Sequence, residues 1–272
     1  MPAKVVALAG ASGYVGKAFV DAFLKLNAFQ VRLLVRSESI DTAPYQDYKK
    51  RGASLHAISY DDEASLVKAL DGVDVLVSSV AATALTSAQI PLVKASKKAG
   101  VKVFFPSEYG GHFPEDTPSP ILRQKKEVVK SAQEHGLPVA ILNNGGFPEY
   151  ISIPHNMGRG EHQDLMDDCK ISRKLANVLK SVPVLQLQNK DISIEGSSST
   201  LNEIVELWER KHNDKLQVQH RSLKELDDRI GADPNDFLAI LLRGFDAGHA
   251  CVGGKDNVLY PNWKPDSVES IL

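Results

Sequence analysis

The sequence is poor in cysteine and has no excess of charge of either sign. Its 272 residues include two cysteines, Cys169 and Cys251, and neither lies in a C-x-x-C pair or a metal-spaced cluster. A disulfide framework is therefore not expected, and a reducing compartment is favoured. We expect both thiols to be small buried side chains. Lysine and arginine number 32 against 34 acidic residues, a balance that argues against nucleic acid as a partner.

Long apolar runs and an N-terminal leader are also missing from the pattern. No run approaches the roughly 18 residues of a membrane-spanning helix, and the segment from Met1 to Lys4 leads directly into a strand pattern. We therefore expect no signal peptide, no membrane partner and a cytoplasmic location. Hydrophobic residues make up 43% of the chain, which is enough to build a buried core.

The first 142 residues alternate between short apolar runs and helix-length amphipathic runs. Several apolar runs are rich in β-branched or aromatic residues, which is typical of parallel strands buried on both faces. The alternation predicts an α/β fold with a Rossmann-type, doubly wound parallel sheet. The predicted strands are Val5–Ala9, Val31–Val35, Ser54–Ile58, Val73–Val77, Val101–Phe105 and Val139–Leu142, with helices near 14–26, 62–70, 86–99 and 120–135.

A glycine-rich segment, Gly10-Ala-Ser-Gly13-Tyr-Val-Gly16, lies where the first strand ends and the first helix begins. Gly10 permits the tight turn, Gly13 lets a pyrophosphate approach the backbone, and Gly16 allows the helix to pack closely on the strand. The positive end of the helix then faces the phosphates. Glycine trios also occur in ordinary turns, but this placement predicts a dinucleotide cofactor.

The end of the second strand indicates which dinucleotide is bound. An NAD-binding domain usually carries an acidic residue here, which binds a ribose hydroxyl. This strand ends instead in Arg36-Ser37, 20 positions after Gly16. A guanidinium can hold a 2′-phosphate that an acidic side chain would repel. The sequence therefore predicts NADP(H); the alternative is that Arg36 is a solvated surface residue.

The alternation of strand-like and helix-like runs ends after Gly145. Residues 148–165 are rich in proline, glycine, asparagine and histidine and are interpreted as a loop region. We divide the chain into a cofactor-binding Rossmann domain, residues 1–147, and a smaller, mostly helical substrate lobe, residues 148–272. The lobe is expected to pack on the carboxyl edge of the sheet and not to fold independently.

The substrate lobe is predicted to contain four helices and a strand. Thr200 and Glu203 have the spacing of a capping box at the start of one helix. Leu216–His220 is predicted to be a strand. The helices are expected near 170–181, 199–212, 222–230 and 234–244.

Several segments, taken in order, are similar to one known family. They are GASGYVGK at the start, Leu-Val-Arg36, the run from Ala64 to Ser79, Phe105-Pro-Ser-Glu-Tyr109-Gly110, and the closing run from Leu259 to Glu269. Together they resemble the isoflavone-reductase and NmrA-like family of atypical short-chain dehydrogenases/reductases over most of the chain. The resemblance implies an NADPH-dependent oxidoreductase that reduces a small aromatic or conjugated substrate.

The resemblance also implies site residues. The family lysine that acts as general acid/base or binds the nicotinamide ribose aligns with Lys125. Tyr109 and Phe147 are candidates for the substrate pocket, as are His112, by its place two residues after Gly110, and His155, by its place in the irregular region. The motif and the resemblance together give as cofactor-binding residues Gly10, Ser12, Gly13, Tyr14, Val15, Gly16, Arg36, Ser37, Ser79, Val80, Ala81, Lys125 and Phe147.

The chain departs from the family pattern at three places. An aspartate that many relatives place near adenine falls on Ser59. An Asn-Tyr-Phe segment is replaced by Gly145-Gly146-Phe147, which is closer to the NmrA-like pattern. The region 155–198 is shorter than in plant reductases, so a reshaped or more open pocket is expected and the family substrates are not assumed.

The phase of the helix predicted near 120–135 supports Lys125 independently of the family. At ~100° per residue, Lys125 falls near the centre of an apolar stripe, whereas Lys126 falls at its margin. A lysine there is costly to bury unless it opens onto a cleft or has a partner. The alternative is that it reaches solvent along its alkyl stem. The stripe comprises Ile121, Leu122, Val128, Val129 and Ala132.

Two other patterns are interpreted as chance. Tyr45-Gln-Asp-Tyr-Lys49 has the Tyr-x-x-x-Lys spelling of ordinary short-chain dehydrogenases, but it precedes the third strand and is expected on a surface helix. His155 could relay protons, and with His162, Asp164 and nearby acids it loosely suggests metal ligands. Histidines and aspartates are common in loops without metals, so no metal is expected.

Three functions remain open on the sequence. The first is the NADPH-dependent reductase. The second is a non-catalytic NADP(H)-sensing regulator, because fold does not fix function; the presence of Lys125 argues against it. The third is an isomerase, cyclase or lyase on the same fold, without net redox chemistry. The substrate and the oligomeric state are not indicated.

Overall fold

Five parallel strands form the central sheet of the amino-terminal part of the molecule, in the order β3-β2-β1-β4-β5. The computed structural model describes residues 1–147, 170–260, 262 and 267–272. This order places the crossover point between β1 and β4, as in a doubly wound sheet. The strands are β1 (Val5–Ala9), β2 (Gln30–Arg36), β3 (Ser54–Ile58), β4 (Val75–Ser78) and β5 (Val103–Phe105).

Helices connect these strands, and local sequence fixes where they begin and end. The carboxylate of Asp62 accepts the N–H groups of Ala64 and Ser65 and so starts the third helix. The fourth helix ends at Gly100, whose φ of 75° suits the left-handed conformation of a helix C-cap. The helices are α1 (Tyr14–Leu26), α2 (Ala43–Lys50), α3 (Glu63–Leu70), α4 (Leu85–Ala99) and α5 (Pro120–Glu134).

The predicted fold class is confirmed. The first predicted helix and the strands Val5–Ala9 and Ser54–Ile58 have the predicted bounds, and the other strands shift by one or two residues. The sheet interior is apolar because its strands carry few polar side chains. Phe104 and Phe105 are fully buried, and the rings of Phe19 and Phe23 stack at 5.8 Å on the inner face of α1.

The second half of the described chain contains two strands and five α-helices. Strand β6 (Ala140–Asn143) pairs with β7 (Lys190–Ser193) in a two-stranded sheet, and Val139 forms a parallel bridge with Phe104. The predicted capping box is confirmed, because Thr200 and Glu203 exchange side-chain and backbone hydrogen bonds. The helices are α6 (Lys170–Ser181), α7 (Leu201–His212), α8 (Leu223–Ala232), α9 (Phe237–Asp246) and α10 (Val268–Ile271).

Two predictions for this half are wrong. Leu216–His220 is not a strand: its residues are mostly exposed, and the Leu216 N–H donates to the Glu209 carboxylate at 3.1 Å rather than to a strand. Cys251 is exposed rather than buried, because it follows the turn that closes at Gly248. Cys169 lies outside the described residues. Strand β7 was not predicted at all.

Helix α2 carries the Tyr-x-x-x-Lys spelling, and its two tyrosines are structural. Tyr45 and Tyr48 are each 6% exposed, and their rings meet edge to face at 6.3 Å. Burial, together with the nearby Asp21 charge, raises the pKa of Tyr48 to about 12. The helix lies at the surface as predicted, and the two tyrosines are its buried residues.

The described chain separates into two compact units, each assembled from several segments. The first unit comprises Met1–Glu108, Arg123–Leu142 and Cys169–Ile192. The second comprises Tyr109–Leu122, Asn143–Asp168 and Ser193–Leu272. This division interleaves segments, whereas the sequence pattern predicts one boundary after residue 147. None of the described helices is long and apolar enough to cross a membrane.

Candidate functional site

The glycine loop forms a tight turn between β1 and α1. Gly10 has a φ of 85°, and a Cβ placed on it would lie 2.5 Å from the carbonyl oxygen of Ser79. A Cβ on Gly16 would overlap the Gly10 carbonyl oxygen. Both glycines are thus required by the protein itself, one for the turn and one for close packing.

Gly13 differs from the other two glycines because the protein does not crowd it. Its φ is −72°, and a Cβ there would lie 3.4 Å from the Gly10 carbonyl oxygen, an ordinary contact. Gly13 is exposed and is the N-cap of α1, where it offers no side chain to cap the helix. The missing side chain leaves room at the amino end of the helix, where backbone N–H groups favour an anion.

Ser79 joins the carboxyl end of β4 to the glycine loop. Its hydroxyl donates to the carbonyl oxygens of Ala9 and Gly10 at 3.1 and 3.2 Å, and its N–H donates to Ala9 at 2.9 Å. Val80 beside it is partly buried, and Ala81 is exposed. The resemblance placed these residues beside the cofactor, and the structure brings Ser79 against the predicted phosphate loop.

Arg36 stands exposed at the end of β2, where it was expected. Its guanidinium lies 3.3 Å from the Glu38 carboxylate, and 63% of its side chain is accessible. Exposed ion pairs of this kind contribute little, so Arg36 is available to a stronger anion. Burial raises the pKa of the neighbouring Tyr60 to about 12, while the Arg36 charge acts in the opposite direction. Ser37 is exposed and begins a short 3-10 turn.

Lys125 lies on α5, and its ammonium meets Glu108 in the loop after β5. The Nζ atom donates to the Glu108 backbone carbonyl and lies 3.7 Å from the Glu108 carboxylate. The Lys125 side chain is 19% exposed and that of Glu108 is 20% exposed. Burial lowers the pKa of Lys125, and the Glu108 carboxylate partly opposes that effect. The predicted position in the apolar stripe is confirmed, since Val128 and Ala132 beside it are fully buried.

Gln89 and Ser107 fix the loop that carries Glu108. The Gln89 side chain is 1% exposed, and its oxygen accepts the Ser107 N–H at 2.8 Å. The Ser107 hydroxyl in turn donates to the Val80 carbonyl at 3.0 Å. These bonds tie the loop after β5 to α4 and to the segment that follows β4. Neither Gln89 nor Ser107 was assigned a role from the sequence.

Three of the candidate substrate residues, Tyr109, His112 and Phe147, belong to the second unit. Tyr109 has a φ of 27°, a strained value for a residue with a side chain. The His112 N–H donates to the His249 carbonyl at 2.8 Å, and its ring lies 3.4 Å from the Ser193 hydroxyl. Phe147 is partly buried. His155 lies outside the described residues.

Metal binding finds no support in the described part of the chain. No group of three or more histidine, cysteine or acidic side chains there could hold a metal ion. The histidines and acids at 155–168 that loosely suggested ligands lie outside the described residues.

The remaining predicted residues lie around the glycine turn. Ser12 is exposed, and Tyr14 and Val15, in the first turn of α1, are partly buried. Together with the sheet order, this turn defines a Rossmann-type α/β fold whose first loop opens at a helix N-terminus.

The chain belongs to the NmrA-like family, whose sequence profile matches residues 2–241. It is 29% identical to a phenylcoumaran benzylic ether reductase of Pinus taeda, over 98% of this chain and 97% of that one. It is 28% identical to an isoflavone reductase homolog of Arabidopsis thaliana, over 97% of this chain and 95% of the other.

A solved structure shows the same fold. The complex of leucoanthocyanidin reductase from Vitis vinifera with NADPH superposes with a TM-score of 0.78 at 22% identity, and the match covers 97% of each chain.

Proposed function

We propose that this protein is an NADPH-dependent reductase of a small aromatic or conjugated molecule, with Lys125 as its acid/base. The observation that carries the proposal is the Lys125 ammonium, four-fifths buried and held beside Glu108 after β5. A lysine is costly to bury, and a protein that only binds a cofactor has no evident need for one there.

The residues of the first unit fit NADP(H). The open position at Gly13 leaves the backbone accessible to a pyrophosphate at the start of α1. The exposed Arg36 can exchange Glu38 for a 2′-phosphate, which is a stronger partner because its several oxygens match the guanidinium. We assign the remaining cofactor contacts to Ser79, Val80 and the other residues of the motif and resemblance.

Each part of the site has a distinct task in this proposal. NADPH, when bound, supplies a hydride to the substrate. Lys125 holds a proton at Nζ that it can donate to the oxygen on which charge develops, and its partly desolvated position brings its pKa closer to neutral pH. The glycine loop and Arg36 orient the cofactor, so that proximity contributes to the rate.

The substrate class is proposed from the relatives. They are named as reductases of phenylcoumaran benzylic ethers and as isoflavone reductase homologs. Tyr109, His112, Phe147 and His155 are proposed to contact the substrate, and residues 148–272 are proposed as the substrate lobe. A cytoplasmic location is proposed from the cysteine content alone.

The test is a panel of conjugated carbonyl compounds and aromatic ethers, incubated with the full chain and NADPH. Loss of NADPH absorbance with at least one compound, together with the reduced product by mass spectrometry, is the expected result. Tight NADPH binding without turnover of any compound, and capture of a partner whose affinity depends on the cofactor's redox state, would establish the regulator instead. A product formed without NADPH consumption would establish the non-redox enzyme.

A further inference from the structure

We propose that Glu108 is a positioning residue, which holds the Lys125 ammonium in place through its backbone carbonyl and its carboxylate. This inference deepens the proposed function and rests on Lys125 being the acid/base. Glu108 does not itself touch the reacting atoms in this proposal; it acts through the lysine.

The first step of the argument is the double contact. Nζ of Lys125 meets the Glu108 carbonyl oxygen and lies 3.7 Å from the carboxylate of the same residue. One residue therefore restrains the ammonium from two directions. Both side chains are about one-fifth exposed, so water competes only weakly for the ammonium.

The second step is that the partner is itself fixed. Ser107, the preceding residue, is held through its N–H by the buried Gln89 and through its hydroxyl by Val80. A carboxylate on a mobile loop would lose much of its effect to side-chain and loop entropy. Here the loop is anchored to α4 and to the segment after β4, so Glu108 can set the position of Lys125 from a fixed support.

The third step is the charge balance. Among the described residues, Glu108 supplies the carboxylate that acts on Lys125. The adjacent residue on the helix, Lys126, is also a lysine. Burial lowers the pKa of Lys125, and the carboxylate raises it. Without the carboxylate the amine would lose its proton at lower pH, so a smaller share of the enzyme would hold the proton that the proposed reaction donates.

The test measures the ionisation of Lys125 directly in the full chain, without cofactor or substrate. Lysine is labelled with carbon-13 at Cε, the Lys125 signal is assigned by its loss in Lys125→Arg, and its chemical shift is followed against pH. Glu108→Gln keeps the backbone carbonyl and removes only the charge. We expect the titration midpoint of Lys125 to fall by about one pH unit or more.

Two further variants make the result specific. Glu134→Gln removes an exposed carboxylate from the same helix, one that pairs with Lys130, and should leave the midpoint unchanged. Glu108→Asp keeps the charge on a shorter side chain. Its Lys125 titration midpoint should lie between those of the parent and of Glu108→Gln. If Glu108→Gln does not fold by circular dichroism, the shift in Glu108→Asp relative to the parent decides.

An unchanged midpoint in both Glu108 variants, or an equal shift in Glu134→Gln, overturns the proposal. The titration uses no cofactor and no substrate, so it is independent of the reductase panel. A shifted midpoint with no reductase activity would support Glu108 as the partner of Lys125 and would contradict the proposed reductase function.

Discussion

Lys125 is the residue on which the proposed chemistry depends. Replacing it with alanine should lower kcat by roughly 10²–10⁴-fold, the span usual for a positioned acid or base. NADPH affinity should change modestly, because Arg36 and the glycine loop supply most of the binding. Steady-state kinetics on the best substrate of the panel, with calorimetry for NADPH, separate the two effects.

The neighbouring Lys126 provides the control for this prediction. It lies on the same helix at the margin of the apolar stripe, so Lys126→Ala should leave kcat nearly unchanged. Equal and small losses in the two variants would mean that Lys125 is structural and that another residue carries the proton.

Arg36 should decide the choice between the two nicotinamide dinucleotides. A hydrogen bond to a charged group contributes roughly 1.5–3 kcal/mol, so the parent should prefer NADPH by at least about tenfold. Arg36→Glu should abolish or reverse the preference, because a carboxylate repels the 2′-phosphate. Glu38→Gln, which removes only the exposed partner of Arg36, should not weaken NADPH binding. Equal dissociation constants for NADH and NADPH in calorimetry of the parent would refute the assignment.

Gly13 and Gly16 should fail in different ways when a side chain is added. Gly13→Val meets no crowding from the protein and should keep the parent's melting temperature while losing NADPH affinity. Gly16→Ala overlaps the Gly10 carbonyl and should lower stability by about 1–3 kcal/mol. Thermal unfolding and cofactor titration of both variants test this contrast. Normal NADPH binding by a folded Gly13→Val variant would mean that the loop is only a turn and does not bind the pyrophosphate.

At the residue scale, the sequence located the groups whose identity is set locally. Gly10 and Gly16 follow from a strand–turn–helix spacing, and Lys125 follows from helix phase. Glu108 was visible in the Pro-Ser-Glu-Tyr-Gly segment, but its role depends on a contact 17 positions along the chain. Gln89 could not be assigned a role from the sequence. The role of an amide on an apolar helix face is clear only when its partner, here Ser107, is known from the structure.

At the scale of elements, Asp74 holds three strand ends together just before β4. Its carboxylate accepts the N–H groups of Lys4 and Val5 at 2.8 and 3.1 Å, and the Lys102 ammonium at 2.5 Å. Burial acts to raise the pKa of Asp74, but these hydrogen bonds outweigh it and lower the pKa. The charged carboxylate therefore stabilises the start of the sheet.

Asp74→Asn should reduce stability by about 1 kcal/mol at neutral pH, once the screening by water at the half-exposed Lys102 is included. A lowered pKa in the folded state gives stability that is present above the unfolded pKa, about 4, and lost as pH falls through the folded pKa. The difference in melting temperature should thus shrink in acid. Asp61→Asn, at an exposed loop position, is the control, and a difference that persists unchanged in acid would contradict the charge argument.

Strands and helices with strong periodicity were predictable, and those defined by their partners were not. The segment Val-Val-Ala-Leu-Ala, β1, can only be a buried strand. Lys190–Ser193 has too little apolar pattern to be recognised, and it becomes a strand because β6 offers a free edge. Leu216–His220 has the apolar spacing of a strand but pairs with no strand in the described part of the chain, and its residues are mostly exposed.

At the scale of the whole molecule, a ligand that binds only the folded state must raise its stability. NADPH at about 100 times its dissociation constant should add about 2.7 kcal/mol and raise the melting temperature by several degrees. NADH at the same concentration should add less. Gly13→Val should lose the NADPH effect, and a shift that it retains in full would mean that the cofactor binds elsewhere.

The first compact unit is assembled from distant parts of the chain, which has a consequence for how the protein is made. The Ala3 N–H donates to the Leu179 carbonyl at 3.2 Å, and α6 packs on α1. Translation proceeds at about 5–20 residues per second, so α1 leaves the ribosome seconds to tens of seconds before the helix that covers it. During that interval α1 lacks the helix that packs on it in the folded chain, so this part of the first unit can be completed only late in synthesis.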